Sequence, residues 1–327
     1  MRCKKEIMGL AALMVVLFHF YIPFGRSPFE IYLFRSTFIG VDLFFFVSAY
    51  SMASRNDKGE FKVGSFLLNR LEYIYAPFVL LSLIAAIYKK WGVANFFKVI
   101  FGVEFYERGG GSFLWYFIGI MAIYLLVPLM LILKRRMKLW GFPILIVCWF
   151  ALSCILQFGL NYTKMFILIN RLPIFFIGLY YDELILANLN KLKKVYVYII
   201  EAVLFVIGTV LVYKYATTIR LLKPFADMYY VVAIPLILAT VMIVNTIVTL
   251  LKGRYDSIIL KFIGGITLEL YGLQMVFGYD IEMKLLKVVP VKQLAFVGTV
   301  IALIVMAYIF NKLLGMAHKL IKKEMKA

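Results

Sequence analysis

Ten stretches of mostly apolar residues, each about the length of one membrane-spanning helix, account for most of this 327-residue sequence. The hydrocarbon core of a bilayer is crossed by about 20 apolar residues in helical conformation. The sequence therefore predicts an all-α, polytopic membrane helix bundle of about ten transmembrane helices. The predicted spans are 6–22, 36–54, 71–88, 113–133, 139–159, 166–186, 195–213, 228–250, 262–279 and 293–311.

The composition indicates lipid as the solvent for most of the chain. Hydrophobic residues make up 64% of the sequence and the mean hydropathy is +0.93, whereas soluble domains are about 45–50% apolar. No stretch is polar enough for a separate soluble domain. We predict a single integral-membrane domain over 1–327, with a short basic tail at about 312–327.

The formal charge of +19 is distributed as in a membrane protein. With the N-terminus in the cytoplasm, segments on the cytoplasmic side carry 22 Lys and Arg residues and segments on the other side carry 13. Cytoplasmic loops are enriched in these residues. We therefore predict both termini in the cytoplasm, a multi-pass protein of the plasma membrane, and the lipid bilayer rather than nucleic acid as the partner of the basic charge.

The three cysteines, Cys3, Cys148 and Cys154, form no spacing typical of a disulfide framework or a metal site. No phosphate-binding glycine loop, zinc-ligand spacing or Gly-x-Ser-x-Gly motif occurs, so we expect no metal. The chemistry of this chain must lie in polar residues inside its apolar stretches, where ionisable groups are costly and therefore candidates for function.

His19 is the one histidine in a predicted span, near the outer end of the first helix. A histidine there could be a catalytic base, or a packed interfacial residue with one hydrogen bond. Asp42 lies six residues into the second helix, about 9 Å below the outer surface and at about the depth predicted for His19. A carboxylate beside a histidine fixes its tautomer. Alternatively, Asp42 pairs with an arginine and only holds helices together.

Three arginines are further candidates. Arg35 precedes the second helix on the outer side, and Arg171 lies near the outer end of the sixth, beside a proline. Each could extend to lipid headgroups, and Arg171, which lies deeper, could equally belong to a site. Arg70 begins the third helix on the cytoplasmic side, where composition alone favours anchoring of the helix to lipid.

The ninth span also carries polar side chains. Glu269, Tyr271 and Gln274 occur within one and a half turns, and Tyr271 and Gln274 share a helix face. These residues could line a polar cavity or join helices by hydrogen bonds. Trp115 and Tyr116 begin the fourth span, where anchoring at the membrane surface is the default interpretation.

Several of these segments resemble acyltransferase family 3, the integral-membrane O-acyltransferases of bacteria. The resemblance covers most of the chain. It is most specific in the first two helices, which read GLAALMVVLFH up to His19 and GVDLFFFVSAY from Gly40. Weaker matches are NRLEYIYAP from Asn69, LWYF from Leu114 up to a proline at 128, RLPIFFIG from Arg171 and ELYGLQ from Glu269.

The resemblance implies that an acyl donor, usually acetyl-CoA, binds on the cytoplasmic side and that a hydroxyl of a cell-surface glycan or related molecule accepts the acyl group. It implies a catalytic role for His19, with Asp42 orienting it. Arg70 is then the candidate for donor phosphates, and Arg35, Arg171, Tyr271 and Gln274 are candidates for the acceptor or the oxyanion.

Two positions depart from the family pattern. The family usually has an arginine eleven residues before the histidine, where this chain has Met8, and often a second arginine three residues after the one matched by Arg70, where it has Tyr73. A transporter that uses the same polar cavity without covalent chemistry, and a non-catalytic membrane sensor or scaffold, are the alternative functions.

Overall fold

A computed structural model describes residues 3–20, 36–217, 227–251 and 257–324. All regular elements in these ranges are helical and none is a strand, which confirms the predicted all-α class. Arg35, one of the predicted site residues, lies outside the described residues. Several helices contain turns of 3-10 or π geometry that leave the helix axis continuous.

The helices are named here in chain order. They are α1 (Lys4–His19), α2 (Ile39–Asp57), α3 (Val63–Tyr88), α4 (Val93–Ile100), α5 (Val103–Arg108), α6 (Trp115–Met137), α7 (Gly141–Cys154), α8 (Phe166–Leu179), α9 (Asp182–Leu189), α10 (Lys194–Thr217), α11 (Tyr229–Leu250), α12 (Ile258–Ile263), α13 (Thr267–Leu273), α14 (Tyr279–Val288) and α15 (Lys292–Glu324).

Six helical segments in the described residues are long and apolar enough to cross a membrane, and a seventh if α8 and α9, bent by 57°, form one broken span. One of the six, Trp115–Gly159, has 45 residues. At 1.5 Å per residue this is about twice the thickness of the hydrocarbon core. Lys138 interrupts it with φ +48° and separates α6 from α7, which pack against each other. This segment is therefore long enough for two crossings.

The predicted count of ten is not confirmed by length and composition. α1 has 16 residues, about 24 Å, and the region from α13 to α14 carries several charged side chains, so neither meets the criteria for a span. Both nevertheless pack in the bundle, α1 against α2 and α13 against α15. The number of crossings remains a prediction.

α2 is the central helix. Within its apolar window 72% of residues are buried, compared with 17% in α10, whose apolar side chains face outward as expected for contact with lipid. α2 packs between α1 and α8. The helices that carry His19, Asp42 and Arg171 are therefore neighbours.

Two glycines bring these helices together. A Cβ atom on Gly40 of α2 would lie 2.5 Å from the carbonyl oxygen of Ala11 on α1, and one on Gly178 of α8 would lie 2.6 Å from that of Phe46 on α2. Small residues allow this close backbone approach in membrane bundles. The GVDLFFF segment thus determines how closely both neighbours pack against Asp42.

Candidate active site

His19 is the last residue of α1, and its side chain is exposed. Its Nδ1 lies 2.8 Å from the carbonyl oxygen of Val15, one turn earlier. A carbonyl oxygen can only accept, so Nδ1 carries a hydrogen and donates it. In a neutral imidazole the other nitrogen, Nε2, is then unprotonated and able to accept a proton.

Gln274 is the second contact of His19. Its amide lies 3.3 Å from Nδ1 of His19, across 255 residues of sequence. The amide atom at this distance is Nε2 of Gln274. Because Nδ1–H and an amide N–H are both donors, and the two ends of an amide have the same shape, we assign the amide with its oxygen toward Nδ1, where it shares that hydrogen with the carbonyl oxygen of Val15. Gln274 begins the π turn Gln274–Gly278 that follows α13, and π turns within α-helices are frequent at functional sites. Two predicted site residues are thus brought together.

Asp42 and Arg171 form a buried ion pair. The Nε atom of Arg171 lies 3.1 Å from Oδ1 of Asp42. The side chain of Arg171 is 2% exposed and that of Asp42 is 0% exposed. The guanidinium of Arg171 also lies over the ring of Tyr230 at 3.5 Å and over that of Trp115 at 5.1 Å. This guanidinium is enclosed by protein and does not extend to lipid headgroups.

Asp42 is not at the level of His19. Gly40 lies against Ala11 and Val15 of α1, and His19 is four residues beyond Val15, about 6 Å further along the axis. Asp42 follows Gly40 in the opposite direction on antiparallel α2. The predicted contact between Asp42 and His19 therefore has no support among the described residues, and the arginine partner of the alternative hypothesis is observed.

Aromatic rings connect the ion pair to the His19 region. Trp115 lies edge-on to Tyr116 at a centroid distance of 6.2 Å, and Tyr116 to Tyr271 at 5.5 Å. Tyr271 lies one turn before Gln274 on the same helix face. Trp115 and Tyr116 are 9% and 6% exposed, so they pack inside the bundle instead of anchoring α6 at the membrane surface.

Arg70 lies at the opposite end of the bundle, near the start of α1. Together with Lys4, Lys5 and Met8 it lines a cavity of about 290 Å³, called here the Arg70 cavity. The guanidinium of Arg70 lies about 5 Å from the rings of Phe66 and Tyr124. A second cavity of about 280 Å³ shares Arg70 and is also lined by Arg55 and Lys62 and by one carboxylate, that of Glu60. Arg70 thus joins two basic cavities.

The two departures from the family pattern have different surroundings. Met8 lines the Arg70 cavity together with Lys4 and Lys5, so the family's arginine would lie in this cavity. Tyr73 is 45% exposed and contacts the ring of His318 at 5.0 Å. Arg70 precedes the π turn Leu71–Tyr75, as Gln274 begins another.

The sequence alone did not identify Tyr230 as a partner of Arg171, or Tyr116 as both a wall of the Arg70 cavity and a contact of Tyr271. Tyr230 begins a span far along the chain, and nothing in its local sequence distinguishes it from an interfacial tyrosine. No group of three or more potential metal ligands occurs in the described ranges.

The family model described as an acyltransferase domain, that of acyltransferase family 3, matches residues 9–311 of this chain. No curated protein and no solved structure gives a match. The match covers nearly the whole sequence, and the chain belongs to this family of membrane acyltransferases.

Proposed function

We propose that this protein is a membrane-embedded O-acyltransferase that moves an acyl group, in the simplest case acetyl, from cytoplasmic acyl-CoA to a hydroxyl of a cell-surface glycan or related acceptor. His19 is the general base. The observation that carries the proposal is the Nδ1–H bond of His19 to the carbonyl oxygen of Val15. This bond leaves Nε2 as the basic nitrogen of His19, the histidine in the segment that resembles this family's first motif.

The chemical step follows from that tautomer. Nε2 of His19 removes the proton of the acceptor hydroxyl as its oxygen attacks the thioester carbonyl. The resulting oxyanion collapses, the carbon–sulfur bond breaks, and Nε2 gives the proton it removed to the departing CoA thiolate. Ester and free thiol are the products, and His19 returns to its starting state. A positioned base of this kind contributes about 10²–10⁴-fold to the rate.

Gln274 supports the base by accepting from Nδ1 of His19, which keeps the ring orientation and the tautomer fixed. Tyr271, one turn away, is a candidate donor to the acceptor or to the oxyanion, as Arg35 is on sequence grounds. Asp42 acts through Arg171 by holding its guanidinium. Arg171 has five N–H donors, so contacts with Asp42 and Ile167 leave donors for an oxyanion or an acceptor.

The Arg70 cavity fits the phosphate end of the donor. Lys4, Lys5 and Arg70 surround it, and such groups bind phosphates through charge-assisted hydrogen bonds. The wall of the cavity also includes Tyr116, which contacts Tyr271. Met8 in this wall and His19 are eleven residues apart on one helix, about 16 Å. An extended thioester arm would carry the acyl group over that distance.

Purified protein in detergent or nanodiscs tests the proposal with radiolabelled acetyl-CoA and a cell-envelope glycan extract. We expect label to appear in an ester-linked, hydroxylamine-labile product and free CoA to appear with it. A transporter would instead move solute across proteoliposomes without consuming thioester, and no finding on the described residues favours it. Intact acetyl-CoA after prolonged incubation with all acceptors, and with water alone, would overturn the proposal.

A further inference from the structure

A third cavity opens at the end of the bundle that carries His19. It has a volume of about 480 Å³ and lies between the end of α3, the short helices α4 and α5, and the start of α6. We call it the Trp91 pocket. Its lining includes Trp91, Asn95, Glu104, Ser112, Phe113 and Met275. The reaction described above uses none of these residues.

The lining of the Trp91 pocket is next in sequence to residues of the proposed active site. Met275 follows Gln274, which contacts His19, and its carbonyl oxygen accepts a hydrogen bond of 3.2 Å from Lys89. Phe113, which the same Lys89 contacts at 5.5 Å from its ring centroid, precedes Trp115 by two residues, and Trp115 contacts Arg171. Two lining residues of the pocket are therefore within two residues of side chains that contact His19 or Arg171.

The charges of the pocket are largely neutralised within it. Lys98 pairs with Glu107 at 3.0 Å, and Arg108 pairs with Glu104 at 2.8 Å. Glu104 also accepts a hydrogen bond of 3.1 Å from the backbone N–H of Phe113. Lys89, the remaining cation of the lining, donates to the carbonyl oxygen of Met275 and lies 5.5 Å from the ring centroid of Phe113. A ligand with several negative charges would have to displace the two carboxylates, so the pocket favours a ligand with little or no net charge.

An aromatic surface lies beside these polar groups. The rings of Trp91 and Phe113 meet edge to face at a centroid distance of 4.9 Å. Asn95 and Ser112 add an amide and a hydroxyl to the lining. Pockets with aromatic walls and a few polar groups of both kinds bind small ligands. An apolar face beside alternating donors and acceptors matches the ring C–H face and the hydroxyl groups of a sugar.

The geometry points to the Trp91 pocket as a binding site for a neutral, hydroxyl-rich saccharide, which presents one hydroxyl toward His19. This inference rests on the proposed function for the role of the bound sugar, and names the class of acceptor and the place where it binds. The pocket itself can be tested without any catalysis.

Full-length protein in nanodiscs would be tested for binding to neutral oligosaccharides of glucose, galactose and N-acetylglucosamine, with hexuronic-acid oligomers as anionic counterparts. We expect at least one neutral oligosaccharide to bind, and Trp91→Ala to weaken its binding by about 10-fold or more, as for a central aromatic contact. Trp91→Tyr, which keeps a ring, should retain most of the affinity. Trp140→Ala is the matched control, because Trp140 is 76% exposed and outside the pocket.

Three results would overturn the inference: binding of none of the neutral oligosaccharides, preference for the hexuronic-acid oligomers, or equal affinity of wild type and a Trp91→Ala protein that elutes as a single species of wild-type size. Loss of the proposed function would appear differently, as an absence of acetyl-CoA turnover in wild-type protein whose saccharide binding still depends on Trp91.

Discussion

The ion pair of Asp42 with Arg171 and the hydrogen bonds of His19 differ in whether they leave an atom free for chemistry. Asp42 and Arg171 are buried and face each other with opposite charges. His19 is exposed and uses Nδ1 for Val15 and Gln274, so that Nε2 is left for chemistry. A buried ion pair with one partner removed is strongly destabilising, whereas an exposed histidine can be replaced at small cost to folding. The comparison assigns to Asp42 the packing role of holding Arg171, and to His19 the proton transfer.

The largest effect is expected when the buried ion pair of Asp42 and Arg171 is broken. Asp42→Ala leaves the guanidinium of Arg171 buried without its carboxylate and should lower the free energy of unfolding by about 3–5 kcal/mol. Unfolding of the purified protein in mixed micelles measures this. Lys98→Ala is the control, because the Lys98–Glu107 pair is about half exposed and such pairs contribute about 0–1 kcal/mol. Equal stability losses in the two variants would remove the packing role of Asp42.

A second prediction concerns the opposite end of the bundle. Arg70→Ala should raise the KM for acyl-CoA more than it lowers kcat, because contacts to distant phosphates hold ground state and transition state alike. A charge-assisted hydrogen bond contributes about 1.5–3 kcal/mol, so kcat/KM should fall by roughly 10- to 150-fold. Arg135→Ala, on an exposed arginine outside both basic cavities, is the control. An unchanged donor KM in Arg70→Ala would leave Arg70 as a lipid anchor.

A smaller effect is expected at Gln274. Its hydrogen bond to His19 contributes about 0.5–1.5 kcal/mol, so Gln274→Ala should lower kcat by about 2- to 12-fold with little change in donor KM. Gln293→Ala, on an exposed side chain of α15, should leave both constants unchanged. A fall in donor affinity without a fall in kcat would place Gln274 in donor binding instead.

The smallest effect on activity is expected from single cysteine substitutions, which test on which side of the membrane each end of the helix bundle lies. In a background without Cys3, Cys148 and Cys154, a Lys98→Cys variant should react with an impermeant maleimide on intact cells, because its position is in the Trp91 pocket on the predicted outer side. Lys62→Cys, beside the second basic cavity, should react only after permeabilisation. Both side chains are exposed. The reverse pattern would invert the predicted topology and separate donor and acceptor from their proposed ends.

The sequence was sufficient for the fold class and the family. Long apolar stretches require helices in lipid, and the motif that contains Gly40 and Asp42 indicated the family. The sequence also proposed Gln274 as a site candidate, and the structure places it in contact with His19; its role stays a prediction. The sequence could not supply the depth of Asp42 relative to His19. That depth depends on the register of two helices, and the register is set by how Gly40 packs against α1.

The partners of Arg171 were equally inaccessible from sequence. Tyr230 and Trp115 lie 59 and 56 residues from it, and each by itself resembles an anchor at the membrane surface. Only the packing of α6, α8 and α11 brings these rings to one guanidinium. The number of membrane crossings is also difficult to predict. α1 is shorter than a typical span, and the region from α13 to α14 carries several charged residues, so length and composition do not identify either as a span.

The most direct test of the account compares the two histidines of the chain. Acyl transfer from acetyl-CoA by purified His19→Ala should fall by about 10²–10⁴-fold, while its unfolding and elution stay close to those of wild type. His318→Ala, which removes only a ring beside Tyr73, should keep wild-type activity. That pair of results would support His19 as the base. Near wild-type turnover in His19→Ala, with the protein folded, would contradict the central claim.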